Sequence, residues 1–276
     1  MPVGARALLA WDGTAYGGWQ LQPNVPTVQG AVEGAVSQLM NRARVVVRAA
    51  GRLDAGVHSQ GQVVGFAVEA PRTIRALYRG LNGLLPDDIV CLAMSAAPAD
   101  YDPRRHNCGK VYRYRCLVRT ARCPLRRMTC WHVGRELDVR AMQQAAQALV
   151  GSHDFSTFRA SGCSARHAVR RIRSIDVVRH ADEVHILVDG EAFLRHQVRI
   201  MAGCLVEVGQ GRATPDWVST ILMAADRTLA ARTAPAHGLS LERVLFRPAL
   251  AWEEGATPEV SWAHLAVGGA REAVDR

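Results

Sequence analysis

The chain shows a similar order of strand and helix patterns twice, and this repetition limits its possible folds more than any other feature. Alternating apolar residues predict strands, and apolar residues at helical spacing predict helices. In the first half the predicted strands and helices alternate as β-α-β-β-α-β, at residues 3–11, 27–39, 45–50, 62–68, 74–84 and 89–96. The second half repeats a similar order, at residues 111–118, 138–149, 171–178, 183–188, 194–208, a helix opened by Thr214 and Pro215, and a strand at 241–246.

Two such halves predict a duplicated ferredoxin-like fold of the α+β class. We expect two RRM-like halves that form a mostly antiparallel sheet flanked by helices, with the active-site cleft between the halves. The predicted halves span residues 1–105 and 106–248. Residues 249–276 lack periodicity and are expected to form a tail, a kind of segment in which flexibility is common.

Composition excludes several classes of protein. Hydrophobic residues make up 49% of the 276 residues and charged residues 21%, as in globular rather than disordered chains. No apolar run reaches the ~20 residues of a membrane span, and the start lacks a signal peptide, so we expect a cytoplasmic protein without a membrane partner. The seven cysteines include no C-x-x-C pair, so neither a metal site nor a disulfide framework is expected.

The net charge of +9 is carried almost entirely by arginine, since Lys110 is the only lysine. Residues 103–135 contain ten cations and no Asp or Glu, and a second basic group follows at 159–179. Such a stretch predicts a surface that binds a polyanion, with nucleic acid as the first choice, although a solvated face is the alternative. The candidate contacts to an RNA backbone are Arg104, Arg113, Arg115, Arg159 and Arg166.

A glycine-bounded loop at residues 51–58, with the sequence GRLDAGVH, holds the best candidate for catalysis. Gly51 and Gly56 allow backbone geometry that other residues resist, which would bring Arg52, Asp54 and His58 close together. A carboxylate in such a loop can act as a nucleophile or a general base. The alternative is a turn aspartate that bonds to its own backbone.

Two further segments carry polar residues in regular patterns. In the strand that contains Tyr112 and Tyr114, both tyrosines share one face and the neighbouring arginines share the other. Aromatic rings among arginines are typical of base stacking with phosphate neutralisation, whereas the alternative places the tyrosines in the core. On the later helix, Arg199 lies beside the apolar stripe and needs an anionic partner, for which Asp54 is suited. The alternative is an arginine on the surface.

Six ordered motifs together resemble those of the bacterial tRNA pseudouridine synthase A family, over about Ala7 to Phe246. They are the segments WDGTAYGGWQLQ at 11–22, TVQG at 27–30, GRLDAGVH at 51–58, KVYRY at 110–114, GSHDFSTF at 151–158 and FLRHQVR at 193–199. Any one of them alone would be a weak signal, but the ordered set is specific.

The resemblance implies an enzyme that isomerises uridine to pseudouridine at positions 38–40 in the anticodon arm of tRNA, as a homodimer without cofactor or metal. It implies that Asp54 is the nucleophile, that Tyr112 stacks on the target base and that Arg199 pairs with the aspartate. Arg52 matches the arginine that helps to hold the flipped nucleotide. His58 and Gln62 are the remaining substrate-binding candidates.

The sequence departs from the family pattern most clearly at Leu53, where the family has threonine next to the nucleophile. This change motivates an alternative, namely a non-catalytic tRNA-binding protein or RNA chaperone on the same fold. A third hypothesis is a glycoside-cleaving enzyme that uses Asp54 with a second carboxylate, from Asp12 or Glu191.

Overall fold

The strands and helices predicted for the first half are present in the computed structural model, which describes residues 3–68 and 72–256. They are β1 (Val3–Trp11), α1 (Val28–Met40), β2 (Arg48–Ala49), β3 (His58–Val68), α2 (Ile74–Leu84) and β4 (Ile89–Pro98). Thr27 begins α1 as predicted, because its hydroxyl accepts the Gly30 N–H at 3.2 Å and so satisfies a free donor of the first turn.

After β4 the chain contains the elements predicted for the second half and four short additional ones, α3, β6, β7 and β11. In chain order they are α3 (Pro103–His106), β5 (Asn107–Leu117), β6 (Trp131–His132), α4 (Val139–Gln147), β7 (Gly151–Asp154), β8 (Val169–His180), β9 (Glu183–Gly190), α5 (Gln197–Gly209), α6 (Pro215–Ala224), β10 (Leu239–Phe246) and β11 (Glu254–Gly255). Among the described helices, none is long and apolar enough to cross a membrane.

All these strands belong to one open mixed sheet, in the order β11-β4-β1-β3-β10-β5-β9-β8-β7, with β2 paired to β3 and β6 to β5. Pairing is antiparallel except for β3 with β10 and β5 with β6. The order β4-β1-β3-β2 in the first half matches β10-β5-β9-β8 in the second. The two halves meet where β10 pairs with the start of β3, at Ser240 with His58 and Leu241 with Ser59.

The longer helices cover one face of the sheet and form the main core with it. Inward strand residues such as Leu9, Phe66 and Tyr114 join one buried cluster with residues of α1, α2, α4, α5 and α6. On the opposite face, a small separate cluster around Leu8 and Tyr101 packs against residues of β10 and of the segment after it. The chain therefore has α+β character with its helices segregated to one side of the sheet.

Two predicted boundaries differ from the structure for local reasons. The strand expected at 45–50 is reduced to β2, because Val45 and Val47 donate their N–H groups to Ser37 and Glu33 side chains of α1 instead of to a strand. The helix expected from residue 194 begins only at Gln197, whose side chain accepts the Leu194 N–H at 2.8 Å and closes a turn before the helix.

The segment after Pro248 contributes to the sheet over its first residues. β11 pairs with β4 at Met94 and Ala93, and the Glu253 side chain accepts the Ala96 N–H at 2.8 Å. The guanidinium of Arg6 lies over the Trp252 ring at 5.7 Å. The expected tail therefore begins as an edge strand, and its residues 257–276 lie outside the described residues.

Candidate active site

The loop at residues 51–58 is held in place along its whole length by backbone contacts. Its Leu53 carbonyl accepts the Trp19 N–H at 3.0 Å, and its Gly56 N–H donates to the Tyr16 carbonyl at 3.3 Å. The Trp11 indole donates to the Val57 carbonyl at 3.2 Å. The first motif and the loop motif of the sequence are therefore one structural unit, and the glycine-rich first segment is the support of the loop.

The Asp54 carboxylate lies between the two halves and contacts the start of α5. Its Oδ2 is 3.6 Å from Nη1 of Arg199 and 3.5 Å from Nε2 of His196. The Asp54 side chain is 30% exposed, so it is sheltered by α5 and still open to a substrate. An aspartate that served only its own turn would not need a guanidinium and an imidazole from another element beside it.

Arg199 is fixed by backbone contacts before it meets the carboxylate. Its Nε donates to the Ala234 carbonyl at 2.9 Å, and the Ala234 N–H donates to the Arg199 carbonyl at 3.1 Å. With its side chain only 14% exposed, Arg199 is the partly buried cation that the sequence predicted, and Asp54 is its anionic neighbour.

Both tyrosines of β5 face the helices. Tyr114 is fully buried, and its hydroxyl donates to the Pro235 carbonyl at 2.8 Å, so Tyr114 is a core residue. Tyr112 packs edge-on against the Phe193 ring at 5.0 Å. Burial raises the pKa of Tyr112, and the nearby Asp54 carboxylate raises it further. Tyr112 is therefore a protonated phenol beside the carboxylate.

Two residues predicted to bind substrate, His58 and Gln62, are buried beneath the loop. Gln62 is fully buried, and its side-chain amide donates to the Gly51 carbonyl at 2.8 Å. Gln62 therefore fixes the start of the loop. His58 is 7% exposed. Its Nε2 faces the carbonyls of Met128 and His237 at 2.8 and 3.1 Å and therefore carries the proton. Its Nδ1 then accepts the Gly13 N–H at 3.0 Å. The Asp12 carboxylate oxygen lies 3.1 Å from the same nitrogen and is therefore not hydrogen-bonded to it.

The side chains of Arg52 and Leu53, the two residues before Asp54, point to different environments. Arg52 is exposed, and no carboxylate of the described residues lies within ion-pair distance of it. Leu53 is 8% exposed and belongs to the main core. The bulk that replaces threonine is therefore taken up by the core and not by the space around Asp54.

Two of the five arginines proposed to contact an RNA backbone are already paired with buried glutamates. Arg113 lies 3.1 Å from Glu242, and Arg115 lies 2.8 Å from Glu183, on the sheet face opposite the helices. Burial alone would raise the pKa of Glu183, but hydrogen bonds from His185, Arg115 and Arg126 hold it well below its usual range. The position of Arg113 and Arg115 corrects that expectation, because a guanidinium whose charge is compensated by a buried glutamate has little charge left for a phosphate.

The other three arginines differ from one another. Arg104 on α3 and Arg166 are exposed. Arg159 donates to the carbonyls of Cys163 and Ala165 at 2.9 and 2.6 Å, and thus shapes its own loop. Of the five candidate arginines, Arg104 and Arg166 are the two whose guanidinium groups face solvent without an ion pair or a hydrogen bond to a loop carbonyl.

Other groups near the loop suggest no additional centre. Lys110 donates to the Asn107 side chain at 3.0 Å, and burial lowers the pKa of its amine to about 8. Among the described residues, no group of three or more His, Cys, Asp or Glu side chains is placed to hold a metal ion. Glu191, one of the second carboxylates considered for a glycosidase, lies 3.8 Å from Arg171.

The sequence reasoning missed two residues that contribute to this site. His196 was passed over, although it stands three residues before Arg199 and so near the same side of a helix. Gly18 was noted only as part of a glycine-rich loop. Its φ of +97° and its closeness to the Leu53 carbonyl make it the floor of the loop at residues 51–58. Both residues stand in the sequence motifs, but the sequence does not show which residues they contact.

Comparisons with known proteins identify the family of this chain. The family model described as tRNA pseudouridine synthase matches residues 7–104 and 145–247. A tRNA pseudouridine synthase A from Myxococcus xanthus is 50% identical over 245 residues, which cover 88% of this chain and 91% of that protein. The protein of the same name from Geobacter sulfurreducens is 42% identical over 241 residues, which cover 87% of this chain and 98% of that protein.

Among solved structures, a chain from a Cbf5–Nop10–Gar1 complex matches 86% of this chain and 58% of its own length, at 13% identity and a TM-score of 0.33. A score that low supports no argument. The family model covers most of the chain and includes the Asp54 loop and the start of α5, so the chain belongs to the tRNA pseudouridine synthase family, a family of isomerases.

Proposed function

We propose that this protein isomerises uridine to pseudouridine at positions 38–40 in the anticodon arm of tRNA, with Asp54 as the nucleophile. The observation that carries the proposal is the meeting of Asp54 with Arg199 across the two halves, at 3.6 Å. Its support is the family membership and the names of the relatives, which are tRNA pseudouridine synthases.

The chemistry explains why such a pair is useful. The reaction breaks the bond between C1′ and N1, turns the detached uracil and joins C5 to C1′. The target must first leave the base stack, which costs a few kcal/mol. The fixed guanidinium of Arg199 places a positive charge 3.6 Å from the carboxylate that attacks the substrate. Tyr112 stacks on the flipped base in this proposal, and exposed Arg52 helps to hold the nucleotide.

The alternative of a non-catalytic binding protein rested on Leu53. Because that side chain is in the core, Leu53→Thr is expected to reduce stability by about 1–3 kcal/mol, since it removes buried apolar surface and buries a hydroxyl. The rate of pseudouridine formation at a temperature where the variant stays folded should be unchanged within about twofold, because Asp54 is not moved. Thermal unfolding and a rate assay measure the two effects. A large gain of activity in the variant would mean that Leu53 obstructs the site.

The exposed arginines supply the proposed contacts to the tRNA backbone. Arg104→Gln and Arg166→Gln are each expected to reduce the slope of log affinity against log salt by about 1, because each removes one phosphate contact. Filter binding of tRNA over a salt series measures the slope. Arg75→Gln, at an exposed position of α2 and outside both basic groups, is the matched control and should leave the slope unchanged. Equal slopes for all variants would refute these contacts.

The proposal extends to the assembly and place of the enzyme. The matching strand orders of the two halves support two ferredoxin-like units, each made of four strands and covering helices. We propose a homodimer that acts in the cytoplasm on tRNA without a small-molecule cofactor. Sedimentation of the purified protein at micromolar concentration measures the state of association.

The experiment that tests the function uses an unmodified tRNA transcript with uridines at positions 38, 39 and 40. Purified protein is incubated with this transcript and with three variants in which one of the uridines is replaced by cytidine, and pseudouridine is then mapped at each position. Modification confined to these positions supports the proposal. Modification at other positions would support isomerase activity but contradict the anticodon arm as its target. Tight binding without modification would favour the non-catalytic alternative.

A further inference from the structure

His196 has an unusual position at the start of α5. It is the residue before the helix, with φ 61° and ψ 5°, a left-handed conformation that histidine adopts more readily than most residues. Its side chain makes no capping hydrogen bond to the helix. The imidazole instead approaches the Asp54 carboxylate, with Nε2 3.5 Å from Oδ2, and remains 23% exposed. The backbone conformation thus directs a titratable ring to the nucleophile.

The proposed reaction needs a proton acceptor at this place. When C5 has joined to C1′, C5 still carries its hydrogen and the ring has a double bond between C6 and N1. Loss of the C5 proton leaves an electron pair that forms the C5–C6 double bond, while the C6–N1 pair moves to N1, which takes up a proton. One proton is lost and one is gained, so the step requires no further reactant.

The other groups at the site are poor acceptors. Tyr112 holds its own proton, because burial and the Asp54 carboxylate raise the pKa of its phenol. Arg199 is a guanidinium whose Nε is bound to the Ala234 carbonyl. Asp54 is released from C1′ as a carboxylate when C5 joins that carbon, and it then lies 3.6 Å from the Arg199 guanidinium, which compensates its charge.

The charges that face His196 favour its neutral form. Burial lowers the pKa of the imidazole; Asp54 opposes this effect, and Arg199, Arg195 and Arg227 add to it. A neutral ring has a nitrogen lone pair free to accept a proton. The positive charge that then forms lies beside the Asp54 carboxylate, which stabilises it.

We propose that His196 is the general base that removes the proton from C5 of the rearranged uracil and returns a proton to N1, directly or through solvent. This inference rests on the proposed function, because it takes a uridine at Asp54 as the substrate.

The test separates bond rearrangement from deprotonation. His196→Asn is the main variant, because asparagine tolerates the left-handed backbone. It is compared with the wild type and with His180→Gln, an exposed histidine on β8, using tRNA that carries uridine, 5-deuterouridine or 5-fluorouridine at the target. Fluorine at C5 blocks deprotonation and still allows the preceding steps. Circular dichroism and tRNA binding establish that each variant is folded.

We expect His196→Asn to slow pseudouridine formation by about 10²- to 10⁴-fold, the usual contribution of a general base. A primary isotope effect with 5-deuterouridine should appear, and the consumption of 5-fluorouridine should be unchanged. His196→Gly keeps the backbone conformation and should recover activity when imidazole is added. A full rate in His196→Asn, or equal slowing of uridine and 5-fluorouridine, would overturn the proposal. Conversion of uridine by Asp54→Ala would instead refute Asp54 as nucleophile, a result that is read independently.

Discussion

Replacing Asp54 with asparagine is expected to reduce pseudouridine formation by about 10⁴-fold or more, because the amide cannot form the covalent bond that opens the proposed reaction. The change removes one negative charge and almost no volume. Affinity for tRNA should therefore stay equal or rise slightly, since a carboxylate near the phosphates is lost. The rate is measured in single-turnover assays with enzyme in excess, and the affinity by filter binding under the same conditions.

The same substitution should affect folding only slightly. Asp54 is 30% exposed, and screened ion pairs of this kind contribute about 0–1 kcal/mol. Asp87→Asn, an exposed carboxylate before β4, is the matched control and should retain the full rate and the full stability. If Asp54→Asn kept even a tenth of the wild-type rate, another group would have to be the nucleophile.

Replacing Gly18 with alanine is expected to damage both stability and catalysis. Its φ is +97°, and a Cβ atom there would lie 2.6 Å from the Leu53 carbonyl oxygen and 3.0 Å from the Asp54 carbonyl carbon. The backbone conformation alone costs an L-residue about 1–3 kcal/mol, and the clash adds to that cost. Because the clashing atoms belong to the loop that carries the proposed nucleophile Asp54, the loop must move, and a shift of about 1 Å reduces rates by about 10²-fold.

Two measurements separate these effects. Thermal unfolding gives the loss of stability, and single-turnover rates well below the midpoint give the loss of catalysis. Gly34→Ala within α1 is the matched control, because nothing lies within 4 Å of its added Cβ, and it should stabilise the helix by about 0.5–1 kcal/mol. Wild-type rates in Gly18→Ala would show that the loop can adjust without moving Asp54.

The sequence predicted the order of the major strands and helices because each of them has a local signature. α1, α2 and α6 are recognisable from their periodicity, and Thr27 and Pro215 mark the starts of α1 and α6. The segment 45–50 was predicted as a longer strand because its valines suit a sheet. Its actual partners, Ser37 and Glu33, belong to a helix, and a local pattern does not identify a distant hydrogen-bond acceptor.

The candidate site could be predicted only in part, for a related reason. Asp54 and Arg199 were identified from their motifs, and the structure brings them together. Arg113 and Arg115 were misjudged because alternation along β5 gives the face of a side chain and not what lies opposite it. Their partners, Glu242 and Glu183, come from β10 and β9. His58 and Gln62 looked like substrate contacts because they adjoin the loop, whereas their burial makes them supports of it.

The central position of β10 has a consequence for biosynthesis. This strand is made after every other described strand except β11, and it must enter between β3 and β5, which are made earlier. Until then both of those strands present open edges, which can pair with other chains. Its pairing with β3 begins at His58, the last residue of the loop that carries Asp54. A nascent chain that stops before residue 239 therefore lacks the strand that joins its halves. Enzymatic activity is then expected only in chains that have completed β10.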